Sequence, residues 1–314
     1  MVICLGAGIF ASFYVYYATG LFLGTILMAG GIATTALVAW TIARCSDHWQ
    51  AKIYEEIAMQ AYGPKMAKYT ICMEVMCQLG FVVAYVVLLK TLLPHTLDQL
   101  TYKKLPIWIS TSIQGQKVWA FVFCFTVILP MSVPRELSSA RYSNMVCFIF
   151  AVYFSLTIIL TCFFDKALVP SLSTNVLDAA LDPQMPLFSG IVTCIPLIIF
   201  CVMYQQNVPQ VYSEITNTSL PKMKQVLTWT TLIVSGVYSM AGFFGYVTWV
   251  NYTGISGLAQ AQNILMAPYG STWILIAQLA ICAACILVSP LCMLPCKDAI
   301  EKLYYGVNGK LSDR

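Results

Sequence analysis

The first 43 residues read MVICLGAGIFASFYVYYATGLFLGTILMAGGIATTALVAWTIA, Met1 to Ala43, without a single Asp, Glu, Lys or Arg. A helix needs about 20 predominantly apolar residues to cross the hydrocarbon core of a bilayer. This stretch therefore holds two crossings, at about 1–18 and 21–43, separated at Ala18-Thr19-Gly20. A cleaved leader has a basic n-region and one short apolar core. Here no charge precedes the core and a second apolar run follows, so the reading is a pair of membrane helices.

The same test applies to the rest of the chain. Charge-free tracts recur at 118–134, 142–164, 183–213 and 225–296. With the apolar run at about 68–93, they place further spans at about 117–133, 143–164, 187–205, 226–249 and 272–294, eight in all. The runs are continuously apolar instead of alternating with period two, which points to helices and not a β-barrel. Hydrophobic residues make up 59% of the 314-residue chain and charged residues 10%, with a mean hydropathy of +0.77. A soluble domain carries roughly a quarter charged residues, so lipid is the solvent these residues suit. The expected fold class is all-α, a polytopic helical bundle forming one transmembrane domain over residues 1–314.

Orientation follows from the cations. With the N-terminus inside, the inner segments hold Arg44, Lys52, Lys65, Lys68, Arg135, Arg141, Lys222, Lys224, Lys297, Lys302, Lys310 and Arg314. The outer segments hold Lys90, Lys103, Lys104, Lys117 and Lys166. The positive-inside rule then sets both termini in the cytoplasm. The sequon at Asn251 falls in an outer loop, where it is a glycosylation candidate, and the one at Asn217 falls inside. Plasma membrane and an internal compartment both remain open. Net charge is +4, with no basic block of the kind that tracks phosphates, so nucleic acid is not an expected partner.

Several features could carry chemistry. Gly6-Ala7-Gly8 near the start of a span lets the backbone open and grip a ligand; the alternative is small residues that let helices pack closely. Glu74 is the only charge well inside a span, and intramembrane carboxylates are rare and costly. It is a proton-carrier candidate, with a structural pairing to Lys68 as the alternative. The polar run Tyr204-Gln205-Gln206-Asn207 ends the sixth span after Pro196. It fits either a discontinuous helix or an ordinary proline kink before a loop. The inner segment 44–67 reads as a short amphipathic helix, with Ile53, Ile57 and Ala61 on one face, Glu55 and Glu56 off it, and Gly63-Pro64 as its stop. Pro290 and Pro295 suggest a bend in the last span. His48 and His95 fall in or near loops and receive no role. The thirteen cysteines lie in or beside the spans, show no metal spacing and no disulfide framework, and read as packing residues. No nucleophile–base arrangement, phosphate loop or redox pair is present in the pattern, so an enzyme is not expected and neither cofactor nor metal is called for.

In order along the chain stand Gly6-Ala7-Gly8-Ile9 with Tyr16-Tyr17-Ala18-Thr19-Gly20, Tyr54-Glu55-Glu56 through Ala61-Tyr62-Gly63-Pro64, and Gln78-Leu79-Gly80-Phe81. They are followed by Pro134-Arg135-Glu136-Leu137-Ser138-Ser139-Ala140-Arg141-Tyr142, Gln206-Asn207-Val208 with Tyr212 and Glu214, and Pro290 to Pro295 with Ile300-Glu301-Lys302-Leu303. Together these blocks resemble the amino acid/auxin permease family of the amino acid–polyamine–organocation superfamily. The resemblance implies a LeuT-like fold of two inverted five-helix repeats, with helices 1 and 6 broken at the midplane around an amino acid substrate. Carried onto this chain, the substrate would meet Gly6, Ala7, Gly8 and Ile9 on helix 1 and Ile199, Phe200 and Cys201 on helix 6. The family has about eleven helices, so eight would leave the second repeat incomplete. Where the sodium-coupled branch has polar ligands, this chain has Val2 and either Ile286 or Val288, with Ser289 adjacent, and a histidine common before the Gln-Asn pair is Gln205.

The expected function is secondary transport of amino acids by alternating access, coupled to H+ or facilitative rather than sodium-coupled. Its partners would be the small-molecule substrate and the lipid bilayer. Two other classes stay open: an inactive or partial family member, and a polytopic receptor or scaffold.

Overall fold

The computed structural model describes residues 8–101, 105–131, 140–164, 181, 185–215, 219–253 and 272–305. All regular structure among them is helical. Helix α1 spans Gly8–Trp49, α2 Tyr54–Tyr62 and α3 Pro64–Leu100. Helix α4 runs over Ile113–Val122, passes through a π-helical stretch at Phe123–Ile128 and ends with the turn Leu129–Met131. Helix α5 covers Ala140–Phe164 and α6 Leu187–Val202. After a 3-10 turn at Gln205–Asn207 come α7 at Val208–Glu214, α8 at Leu220–Thr253 and α9 at Thr272–Tyr305.

Six helical segments are long and apolar enough to cross a membrane, with Ile113–Ile128 as a shorter apolar helix. The first of the six carries two of the expected spans, because α1 is broken at Gly20 (φ 76°, ψ 168°). That backbone region is essentially restricted to glycine, so one residue divides the described part of the charge-free stretch, residues 8–43, into two helices. Over the residues described, the eight expected segments are largely helical, and the polytopic all-α bundle stands.

The helices run beyond the apolar spans at several ends. Helix α3 has 37 residues, about 55 Å at a rise of 1.5 Å each, against roughly 30 Å of hydrocarbon. Hydropathy locates the part dissolved in lipid; the backbone ladder continues into the interface. Pro94 and His95, expected at the start of a loop, therefore lie inside α3. The amphipathic helix expected in 44–67 is α2, but its polar face is corrected. Glu55 is 3% exposed, because α9 extends to Tyr305 and sets Lys302 Nζ 3.2 Å from Glu55 Oε1. Ala61 is exposed instead. Gly63 (φ 87°) caps α2 and leads into Pro64 at the first turn of α3, the expected stop.

Three seams hold the bundle. Helix α1 packs on α6 and α8, α3 packs on α9, and α5 packs on α8 and α9. The buried stripe of α3 is Ala67, Ile71, Gln78, Phe81, Tyr85, Leu89, Leu92 and Thr96, at helical steps of three and four. Met73, Met76, Val83 and Val87 on other faces are exposed, as lipid-facing side chains are. A second polar tie joins the end of α1 to α7, where the Tyr212 hydroxyl donates to Asp47 Oδ1.

Two outcomes follow. Gly20→Ala should destabilise the protein by about 1–3 kcal/mol, read as a lowered unfolding midpoint in detergent. A double-mutant cycle with Glu55→Gln and Lys302→Met should return a coupling of about 0.5–3 kcal/mol; additive effects would show that the pair contributes nothing.

Candidate substrate site

Helices α1 and α6 run antiparallel along a seam of small residues. The Cys194 thiol donates to the Val15 carbonyl at 3.7 Å and the Cys201 thiol to the Gly8 carbonyl at 3.1 Å. The paired positions advance by seven on one helix as they retreat by seven on the other. Farther along, a Cβ on Gly190 would stand 2.7 Å from the Ala18 carbonyl oxygen. Backbones this close need small side chains at the contact.

At one end of this seam the sixth span is discontinuous. Helix α6 stops at Val202, Met203 is extended (φ −79°, ψ 105°), and α7 starts again at Val208 with Pro209 in its first turn. Proline suits a first turn because it lacks the N–H that would be unpaired there. Pro196, by contrast, lies inside α6 without ending it. Of the two readings of Tyr204–Asn207, the discontinuous helix is the observed one. The helical ladder ends at Val202, so the carbonyls of the last turn of α6 have no helical partner. The break is held by side chains: the Tyr204 amide donates to Gln205 Oε1 at 2.9 Å, and the Tyr204 and Thr231 hydroxyls are 2.8 Å apart.

The residues expected around the substrate are placed as follows. Gly8 and Ile9 are buried on α1, while Gly6, Ala7 and Val2 lie outside the described residues. Cys201 is fully buried against Gly8, and Phe200 stacks on Phe81 of α3 with ring centroids 5.2 Å apart. Ile199 is 52% exposed on another face of α6 and does not join them. Sequence reasoning missed Tyr238 of α8, which is fully buried. A Cβ on Gly8 would fall 2.7 Å from its hydroxyl and 2.9 Å from Cys201 Cα. Three helices therefore meet at Gly8, and close packing is one established reason for a glycine there. In sequence Tyr238 is one of many membrane aromatics, and only a long-range contact distinguishes it.

Glu74 falls on the α3 stripe between Ile71 and Gln78 and is partly buried. Its charge bears on Cys77 and on Cys296 of α9, so it lies toward the α3–α9 seam. Lys68 is exposed. On α9, the Ser289 hydroxyl donates to the Ile286 carbonyl at 3.2 Å, and Val288 is buried. Asn251 lies in the last turn of α8, its side chain outside the described residues. Among the described residues no three His, Cys, Asp or Glu side chains are grouped to hold a metal.

These features agree with comparison to known proteins. A relative from Xenopus tropicalis, named "Putative sodium-coupled neutral amino acid transporter 8", is 26% identical over 184 residues. The match covers 58% of this chain and 39% of the relative, so the chain spans about two fifths of that protein's length. The sequence pattern of the family described as "Transmembrane amino acid transporter protein" matches residues 2–309. A multi-pass helical membrane protein with this pattern over nearly its whole length belongs to the transmembrane amino acid transporter family.

Proposed function

We propose that the chain carries amino acids across a bilayer by alternating access to a site where α1 meets the break in α6. The observation that carries this reading is the helix end at Val202 placed against Gly8. A helix C-terminus presents the negative end of the peptide dipoles, and carbonyls without helical partners suit an ammonium group. Irregular backbone at membrane depth is tolerated where it lines a cavity. Gly6 to Ile9 would supply the other wall, with the substrate carboxylate on their amides. Phe200, stacked on Phe81, would border the side-chain space, which suits a neutral amino acid. The pairing of α1 with α6 and α8, and of α3 with α9, supports two repeats in which successive helices of one half meet their counterparts in the other.

For coupling, we favour a proton or no ion, with Glu74 as the proton carrier. Ile286 and Val288 offer no side-chain oxygen, and the Ser289 hydroxyl is directed to a backbone carbonyl. The name of the Xenopus relative favours the other reading, sodium coupling, so the two are separated by experiment.

In proteoliposomes, saturable uptake of labelled neutral amino acids is expected, unchanged when sodium is replaced by choline. Loss of uptake without sodium would establish the second reading. Gly8→Ala should abolish uptake, and Gly190→Ala is its control, because it meets a backbone oxygen at the same 2.7 Å in the same seam. Equal losses in both variants would make Gly8 a packing residue and remove the site from this junction. Glu74→Gln should lose stimulation by an imposed proton gradient while retaining exchange at equal pH. A variant stimulated as strongly as the parent would exclude Glu74 as the carrier.

A further inference from the structure

The α3–α9 seam carries a second titratable group that the transport reading does not use. His95 lies 21 residues beyond Glu74 on the same helix, about 30 Å farther along its axis. It stands past the end of the apolar span 68–93, at the water-facing margin of the bundle opposite Lys302 and Glu55. Its Nδ1 is buried and has no hydrogen-bond partner among the described residues. Most buried side-chain nitrogens are paired, and an orphaned imidazole nitrogen is a vacant acceptor or a donor in waiting.

Its described surroundings hold both polar and charged groups. The Asp98 carboxylate, one turn on, bears on the ring electrostatically and also accepts the Thr111 amide at 3.2 Å. Thr96, the next residue, is fully buried and lies 3.4 Å from Oε1 of the fully buried Gln278 on α9. Helix α9 brings no Asp, Glu, Lys, Arg or His between Thr272 and Cys296, and α6 brings none at all. Helix α4 brings Lys117, α2 brings Glu55 and Glu56 at the far end, and α3 itself adds Lys90. Burial favours the neutral imidazole and holds its pKa below the ordinary value, and Asp98, the carboxylate within a turn of the ring, partly offsets this by favouring the imidazolium.

We propose that His95 is a proton-binding site of the carrier, at the opposite end of the α3–α9 seam from Glu74, and that its protonation sets the pH dependence of transport. An imidazole is the side chain whose charge changes between about pH 5 and 8. Adding a proton makes the buried Nδ1 a donor on a ring that the Asp98 carboxylate already acts on. Because His95 lies on α3, which packs along α9, the charge change falls on a helix of that seam. The assignment rests on the transport reading only for its second clause; proton binding is measurable without transport.

The chain has two histidines, His48 and His95, so the test is direct. In the purified full chain with 13C-labelled histidine, the NMR signal lost in His95→Gln should titrate between about pH 5 and 8. In Asp98→Asn its midpoint should fall by about one unit. In proteoliposomes with equal pH on both sides, uptake by the parent should change through the same midpoint, and His95→Gln should flatten that step while the parent's Glu74-dependent gradient response persists. A His95 signal that does not titrate would overturn the proposal even if uptake is absent. A His95→Gln pH profile superimposed on the parent's, in a chain that transports, would overturn its second clause.

Discussion

The close approach of α1 and α6 constrains the rest of the bundle. At Gly8 and Cys201 the two chains are separated by little more than backbone, and a single added carbon would strike Cys201 Cα and the Tyr238 hydroxyl. Side chains therefore cannot fill the junction, and contact there must come from main-chain groups. The thiols of Cys194 and Cys201, each aimed at a carbonyl across the seam, are what remains when side chains are kept small. Lipid supplies no hydrophobic drive between helices, so packing and polar contacts of this kind hold the seam together. Helix α8 completes it, with Tyr238 and Tyr246 buried against α1.

That constraint explains why the break in α6 occurs where it does. A helix can be interrupted in the membrane only if its freed polar groups find partners. Beside Gly8 the surroundings are protein and not lipid, and Gln205 and Thr231 stand ready to satisfy Tyr204. Pro196, which lacks the same kind of hydrogen bond, does not break the helix six residues earlier. The deciding factor is thus the supply of local partners and a restart at Asn207-Val208-Pro209, not the loss of one bond.

Much of this was legible in the sequence, for identifiable reasons. Hydrocarbon thickness and the absence of charge fix the spans, and Gly20 and Gly63 fix their ends because few other residues adopt their backbone angles. The polar run at Tyr204 announced a discontinuity without deciding between a break and a kink. What stayed hidden depends on contacts between distant residues. Glu55 reads as a solvent carboxylate until Lys302, almost 250 positions later, arrives beside it. Ile199 and Cys201 look equivalent in sequence, yet only the helical phase against α1 turns one inward. His95 reads as a loop residue because Pro94 precedes it, whereas α3 tolerates that proline with Leu92 and Thr96 anchored on either side.

The two kinds of seam differ in what breaking them requires, which bears on the proposed carrier. Separating α1 from α6 would expose main-chain groups and thiols packed at van der Waals distance over three successive contacts. Separating α1 from α7, or α2 from α9, requires parting Tyr212 from Asp47 and Lys302 from Glu55. Lys302 is partly exposed and Glu55 is buried beside it, so opening that returns both charges to water recovers their solvation and offsets much of the lost attraction. A rearrangement that keeps the first and releases the second is therefore the less costly one. It would pivot about the seam that carries the proposed site and open the end of the bundle that carries the polar ties. In that motion Glu55 and Asp47 would leave a buried or partly buried setting for water, where a lone carboxylate is stable. The opposite choice would strand polar backbone in lipid, and this asymmetry, set by solvent and not by any single residue, selects which interfaces can move.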